Sequence, residues 1–461
     1  MASRRTGELD IIANSRGGKT NRASVKSNTK QYEEYDSEYE DYTVDIGDIY
    51  EEERREKKKN RLKKKKKKRR KIALLIAEIF AIAILSFALV MLIMPNSKAW
   101  FLSTPVGKFF IGIFVSEEDM DNIIDKDFNR GDVEINSGLD TSAMKEYYNI
   151  ALFGLDSRSG EMEGGVNSDC IIIVSINEKT GDVKMCSVYR DSWVRVARKD
   201  GSWEYARVNG AYCFGGAQEA VKTLNSNFDL NISDYVSIDF SGLANIIDML
   251  GGIDITITED ERYWLNQYLG ETRIVTGIDS PLVYNSGNVH LNGIQTVAFC
   301  RIRKVSFIDE DGVVYNNDFG RTARQRRVIM KLVDLAKNAG LSQVLDMANE
   351  VLQSDFLYTS IPYDEIIDLI PTLLNFKIAG SIGYPFTYDT PERLYLADGT
   401  RLDYPVVITG LSYNNYKLHS FLFNNDKYKP SDTVKQIDTT LESMLGYEEK
   451  RLEGDESIVL K

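Results

Sequence analysis

The sequence predicts an α/β (α+β) fold, a mixed central sheet sandwiched between helices, placed after a single N-terminal transmembrane helix. Three observations carry this. Beyond residue 146, apolar runs of strand length alternate with segments of helical spacing, the pattern of a layered domain. Two of those runs, YYNIALFGLD and DCIIIVSIN, are almost continuously apolar, as strands covered on both faces are. The stretch IALLIAEIFAIAILSFALVMLIM (72–94) contains a single ionisable residue, Glu78, and at about 1.5 Å per residue it is long enough to cross a bilayer.

In chain order, residues 1–71 read as a disordered cytoplasmic tail. They carry 22 basic and 14 acidic side chains with no apolar periodicity, and QYEEYDSEYEDY (31–42) alternates tyrosines with acids. The tail ends in RREKKKNRLKKKKKKRRK (54–71), with 15 basic residues. The positive-inside bias therefore puts the N-terminus in the cytoplasm and residues 95–461 outside a cell membrane crossed once at 72–94. Beside an apolar span, the basic run reads as a topology and anionic-lipid signal rather than a nucleic-acid site. A cleaved leader fits poorly, because the apolar run is too long and starts too far from Met1.

Residues 95–145 form an extracellular connector or accessory segment, with an apolar patch at 100–115. The main domain spans 146–376. After the two apolar strands, NEKTGD turns the chain into VKMCSVYRDSWVRV. GAQEAVKTLNSNF (216–228) has helical spacing, and DYVSIDF (234–240) reads as a strand. SGLANIIDMLGG is a helix with Ser241 as N-cap, and IDITI is a further strand. TARQRRVIMKLVDLAKNAG (322–340) is a helix in which Thr322 and Gln325 have capping-box spacing, so Arg321 stands at its N-terminal end. Residues 341–376 continue helically. Residues 377–461 are turn-rich with short strands and a closing helix at 431–446, and read as an appended region.

Charge and motif content narrow the chemistry. Residues 95–461 carry 35 basic against 54 acidic side chains, a net of −19. There are only two histidines, His290 and His419, and no GxSxG, HExxH, Walker A loop or GxGxxG after a strand. The four cysteines form no CxxC and no dense framework; one bridge among them stays open. What remains is carboxylates and arginines at element ends. Asp156 ends one strand, Asp169 begins the next, and Asp191 follows Arg190 at a third. Carboxylates brought together at strand ends suit Mg²⁺ shared with phosphate oxygens.

Arg301 and Arg303 alternate in FCRIRK, which on an extended strand aligns them on one face. With Arg190 and Arg321 they make a guanidinium cluster that a diphosphate would satisfy, since each planar fork donates two parallel hydrogen bonds and keeps its charge. Arg324, Arg326 and Arg327 read as solvated or salt-bridged charges on a helix face.

In this order, GLDSR, NSDCIIIVSIN, SVYRD, RVNGAY, SIDFSGLANIIDMLGGIDI, LNGIQTVAFCRIR and DFGRTARQRRVI resemble the LytR–CpsA–Psr family over roughly 150–327. The resemblance implies a membrane-anchored Mg²⁺-dependent phosphotransferase of cell wall biogenesis. Such an enzyme moves a glycopolymer (teichoic acid, capsular or other wall polysaccharide) from a polyprenyl-pyrophosphate carrier to peptidoglycan, with the 6-hydroxyl of N-acetylmuramic acid as acceptor. It further implies that Asp156 and Asp169 hold the metal. Arg190, Arg301, Arg303 and Arg321 would grip the pyrophosphate with Gln325 assisting, and Asp318 would orient an arginine. Asp156, Arg190, Arg303 and Arg321 are then the catalytic set, and the lipid tail lies in an apolar tunnel between sheet and helices. Two positions depart from the family's habit, Asn167 where arginine is common and Tyr189 where proline is, and the loop 304–317 is long. Two rival readings stay open: a lipid-pyrophosphate sensor or scaffold of envelope assembly, and a pyrophosphatase with water as acceptor.

Overall fold

A computed structural model of the chain describes residues 123–156, 165–309, 312–340, 356–373, 376–396 and 398–445, with scattered positions between 54 and 108 and between 343 and 351. The expected span at 72–94, the tail before 54 and most of the connector before 123 lie outside these residues. In the basic run, where the sequence predicts disorder, the described positions between 54 and 67 are helical and exposed, as the helix propensity of lysine and arginine allows. The chain divides into two units, Met1–Ile84 and Leu85–Lys461, and all the elements below belong to the second.

Nine-residue β1 (Tyr147–Leu155), β2 (Ser168–Asn177) and β3 (Asp182–Val188) form an antiparallel meander. β4 (Trp193–Ala197) and β5 (Trp203–Arg207) pair separately. β6 (Asp234–Asp239) then joins β1 in parallel. β7 (Ile253–Ile257) pairs with β8 (Gly287–Leu291), and β9 (Phe307–Ile308) with β10 (Val314–Tyr315). β11 (Leu357–Thr359) runs antiparallel to β6, and β12 (Lys377–Tyr384) parallel to β3. The result is a six-stranded mixed sheet in the order β11–β6–β1–β2–β3–β12. The apolar runs of β1 and β2 take its centre, where both faces are covered.

One face packs against α1 (Gly210–Phe228), α7 (Leu411–Phe423) and α8 (Asp432–Leu445). Ala151, Ile171 and Ile173 meet Val221, Leu418 and Leu441 there, all at 2% exposure or less. The other face looks toward α2 (Phe240–Met249), α4 (Gly293–Cys300), α5 (Asn317–Asn338) and α6 (Tyr363–Leu373). Behind them α3 (Glu259–Thr276) closes a second core with β7 and β8.

Several expectations are corrected. Residues 377–445 are not an appendage: β12 completes the central sheet, and α7 and α8 supply much of one core face. α2 is capped by Asp239, whose carboxylate accepts from the Gly242 amide at 2.7 Å, and not by Ser241. IDITI is a strand, but it pairs outside the central sheet. Residues 357–359 are β11, so the segment after 340 is not helical throughout. LNGIQTVAFC forms β8's end and α4, with Asn292 and Gln295 making a reciprocal capping box. Arg301 therefore ends a helix, and no strand aligns it with Arg303. α5 starts at Asn317, five residues before its expected start, so Arg321 lies one turn inside it. Thr322 uses its hydroxyl on the Asp318 carbonyl at 2.9 Å. All four cysteines are unpaired.

Candidate active site

The sheet topology alone gathers the carboxylates and the first arginine. β1 runs antiparallel to β2, and β2 to β3. The end of β1, the start of β2 and the end of β3 thus share one edge, which brings Asp156, Asp169 and Arg190 together. α5 then presents Asp318 and Arg321 to the same edge, and the segment after α4 adds Arg303.

Asp169 is the hub. It accepts from Arg190 Nη1 at 2.5 Å, and its Oδ2 lies 3.4 Å from Arg321 Nη1 and 3.8 Å from Arg303 Nη2. Arg321 Nη2 donates to the Asp169 carbonyl at 3.1 Å and to Asp318 Oδ2 at 3.0 Å. Oδ1 of Asp318 stands 3.4 Å from Arg303 Nε and 3.7 Å from Arg190 Nε. Burial works to raise the Asp169 carboxyl, but Arg321, Arg190 and Arg303 outweigh it and hold the group below its ordinary value. Arg321, only 2% exposed, is pushed down by burial against the pull of Asp318, with Arg190 and Arg303 pressing the same way.

Three guanidiniums thus interleave with Asp169 and Asp318, and Arg190 Nε also stands 3.5 Å from Asp191 Oδ2. Their donors are not all used. The Nε–H groups of Arg190, Arg303 and Arg321 are buried without a hydrogen-bond partner among the described residues. Two of them lie within ion-pair reach of Asp318 Oδ1, yet that oxygen accepts no hydrogen bond either. Buried unpaired donors of this kind cost free energy unless a ligand accepts from them.

The cluster closes one end of a cavity of about 810 Å³ between the sheet and α2, α4 and α5. Strand register lays the sheet wall in two rows, Leu152 beside Ile172 and Val236, then Gly154 beside Cys170 and Ile238. A side chain on Gly154 would bring its Cβ within 2.8 Å of the Cys170 Cβ, so glycine is what the close strand neighbour requires. Leu243, Ile246, Val297 and Ile329 face the sheet from the helices. Burial raises the Cys170 thiol to about 12, so it lines the wall as a neutral, apolar group.

Each residue expected at the site lines this cavity except Asp318, which reaches it through the arginines. Asp156 Oδ1 and Gln325 Oε1 are buried there without hydrogen-bond partners among the described residues. Arg301 stands apart from the Asp169 hub. It donates to Thr272 Oγ1 at 2.9 Å, pairs with Glu271 at 3.2 Å, and lies over the rings of Phe240 and Tyr268. Sequence reasoning misses Glu271, because its partner lies 30 positions further along the chain. Of the two readings of Arg324, solvated or salt-bridged, the second holds, and the pair it makes with Glu261 is fully buried.

Of the departures, Asn167 lines the cavity. Tyr189 is buried edge-on to Phe319, with ring centroids 4.4 Å apart. The Arg190 segment is further gripped by the C-terminal part of the chain. Tyr189 N donates to Tyr384 O, Val406 N to Asp191 O, and Trp193 N to Val406 O, each at 2.9 Å.

Residues 113–380 match the model of the LytR_cpsA_psr family. Among characterised proteins, the chain is 27% identical to the polyisoprenyl-teichoic acid–peptidoglycan teichoic acid transferase TagV of Bacillus subtilis (strain 168) over 219 residues, 47% of this chain and 51% of that protein. It is 33% identical to biofilm regulatory protein A of Streptococcus mutans serotype c over 215 residues, 45% of this chain and 47% of that one. The chain thus spans about half the length of these relatives. The crystal structure of B. subtilis TagT superposes with a TM-score of 0.45 at 20% identity, covering 64% of this chain and 98% of that one.

Proposed function

The chain belongs to the LytR_cpsA_psr family, and on that premise we propose that it is a membrane-anchored phosphotransferase. It moves a glycopolymer of the wall, such as a teichoic acid or capsular polysaccharide, from a polyprenyl-pyrophosphate carrier to peptidoglycan. The observation that carries this reading is the junction of two environments: three arginines with unused buried Nε–H donors at the mouth of a cavity floored by aliphatic side chains. A diphosphate accepts at the first and an isoprenoid chain fills the second. The names of relatives such as TagV support the reaction class. The basic run before 72–94 supports a single-pass anchor with the catalytic domain outside the cell.

In the reaction, a glycan hydroxyl, by family resemblance that on C6 of N-acetylmuramic acid, attacks the sugar-proximal phosphorus in line. The new P–O bond forms as the bond to the bridging oxygen breaks, and polyprenyl phosphate leaves. Arg190, Arg303 and Arg321 stabilise the charge passing to the leaving oxygen, the dominant contribution in phosphoryl transfer. Asp318 holds Arg321 in place, and Gln325 adds a polar contact. The hydroxyl's proton passes to the Asp156 carboxylate, whose Oδ1 is buried and has no hydrogen-bond partner among the described residues.

Mg²⁺ fits these residues in one way. No group of three or more His, Cys, Asp or Glu side chains among the described residues could hold a metal. Asp156 and Asp169 line the same cavity, and two carboxylates with diphosphate oxygens and water make an ordinary Mg²⁺ site. Bound there, the ion would neutralise charge on the diphosphate.

The test uses the full-length protein in detergent with a labelled polyprenyl-diphosphate glycan and peptidoglycan fragments, with Mg²⁺ or a chelator. Metal-dependent label on peptidoglycan is expected, and Arg190→Ala should lower transfer by about 10²–10³-fold while remaining folded. Label released as free glycan phosphate would assign hydrolysis instead, and binding without turnover would assign a sensor. Full activity in folded Arg190→Ala removes that residue from the mechanism.

A further inference from the structure

Arg324 is the most deeply buried cation in the described chain, at 0% exposure, and no donor of its fork points at the cavity. Nε donates to Glu261 Oε1 at 3.0 Å, and Nη2 lies 2.9 Å from the same oxygen. Nη1 donates to the Ile302 carbonyl at 3.3 Å, while Nη2 reaches the carbonyls of Val305 at 3.1 Å and Ser306 at 3.2 Å. Glu261 is fixed in turn, since its other oxygen accepts from the Thr258 amide at 2.9 Å in the capping box of α3. Gly320 leaves the room this requires: a Cβ there would lie 3.3 Å from Arg324 Nη1 and 2.9 Å from the Tyr315 carbonyl.

These three carbonyls flank Arg303. Residues 302–306 lie in neither helix nor strand, between α4 and β9, and Arg303 must still meet Asp169 and Asp318. We infer that Arg324 is a positioning residue that sets the 302–306 segment, and through it the aim of Arg303 at the diphosphate. The inference rests on the reading of the site as a diphosphate binder. A guanidinium is required because its planar fork reaches a carboxylate on one side and separated carbonyls on the other. Lysine can keep the charge opposite Glu261, but its three donors sit on one atom and cannot span the set. The two arginines also share α5, with Arg321 one turn before Arg324, so a single helix supplies one ligand-facing arginine and the anchor for another.

The test is a double-mutant cycle on the full-length protein in detergent, read as affinity for polyprenyl diphosphate. Arg324→Lys preserves the buried charge pair and should fold. Both it and Arg303→Ala should weaken binding, each by about tenfold. If Arg324 acts through Arg303, the double variant stays within about threefold of Arg303→Ala alone. Losses that multiply to about a hundredfold would make Arg324 an independent structural residue and overturn the inference. Amide exchange gives a ligand-free readout: it should rise over 302–306 in Arg324→Lys and stay unchanged in β1 and β2. Unchanged exchange over 302–306 overturns the inference as well. A folded wild type that binds no diphosphate overturns this inference and the proposed function together, whereas multiplicative losses in one that binds overturn this inference alone.

Discussion

The two faces of the central sheet are built from the same strands and the same kinds of residue, yet one is closed and the other is only partly filled. On the second, a cavity lies beside the cluster of Ile172, Ile176, Val183 and Met185 against Ile361 and Phe376. Ile172 and Ile173 are neighbours on β2, both fully buried. Ile173 points into a core filled by α1, α7 and α8; Ile172 points to the wall of the 810 Å³ cavity. The apolar content of the strands does not decide which face will be hollow. That is decided by what covers each face. A face that stabilises the fold and a face that receives a ligand can therefore share one strand.

The largest expected effect breaks the closed face. Ile173→Ala removes a side chain from a packed core and should cost about 2–5 kcal/mol, as the transfer and cavity contributions add there. The midpoint and slope of denaturant unfolding measure it. A cost below about 1 kcal/mol would mean that this face is no better packed than its opposite.

Acid should loosen the same face next. His419 on α7 is 1% exposed, stacked on Tyr428 at 3.8 Å, with Asp229 among the charges near it. Its Nε2 lies 3.0 Å from the Phe228 carbonyl at the end of α1. Because a carbonyl only accepts, Nε2 carries the proton in this contact. Burial lowers the imidazole from 6.5 to about 4. The folded pKa is thus depressed, so the stability is fully present above pH 6.5 and is lost as the unfolded chain takes up a proton between pH 6.5 and 4. At pH 4.5 the loss is roughly 2–3 kcal/mol. His419→Gln retains an amide donor for Phe228, so its stability should fall less between pH 7 and 4.5. An identical fall in both proteins would take His419 out of the acid response.

The legibility of the sequence divides along the same line. The apolar strands, the acids and arginines at their ends, and the order of the motifs were all readable, because each rests on a local pattern. The α4 helix was not: GIQTVAFC is buried on all sides, and a short, mostly apolar run has no period to separate helix from strand. Its signal was the capping pair of Asn292, just before the run, and Gln295, its third residue. The burial of Arg324 was hidden because its partner, Glu261, is 63 positions away, and a helix face rich in arginine looks solvated. The role of 377–445 was hidden for a related reason. KIAGSIGY has two glycines and little apolar bulk, and only its pairing with β3 shows it to be a sheet strand.

The smallest effect on stability comes from the hollow face, and it sharpens the comparison most. Leu243 on α2 lines the cavity opposite the strands and is only partly buried. Leu243→Trp adds bulk where there is already space, so its cost should stay under about 1 kcal/mol, against the 1–3 kcal/mol typical of overpacking a filled core. The indole would instead occupy room needed by an isoprenoid chain. Affinity for polyprenyl diphosphate should fall by at least about tenfold, near 1.4 kcal/mol. Inorganic pyrophosphate, which needs the arginines and not the cavity, should compete at the same concentration as in the unsubstituted protein. This pairing separates the two ends of the site in one variant. If lipid and pyrophosphate affinities fall together, the indole has disturbed the arginines and the cavity is not an independent tail site. If neither falls while stability does, the space at Leu243 is closed in solution, and the two faces of the sheet are alike after all.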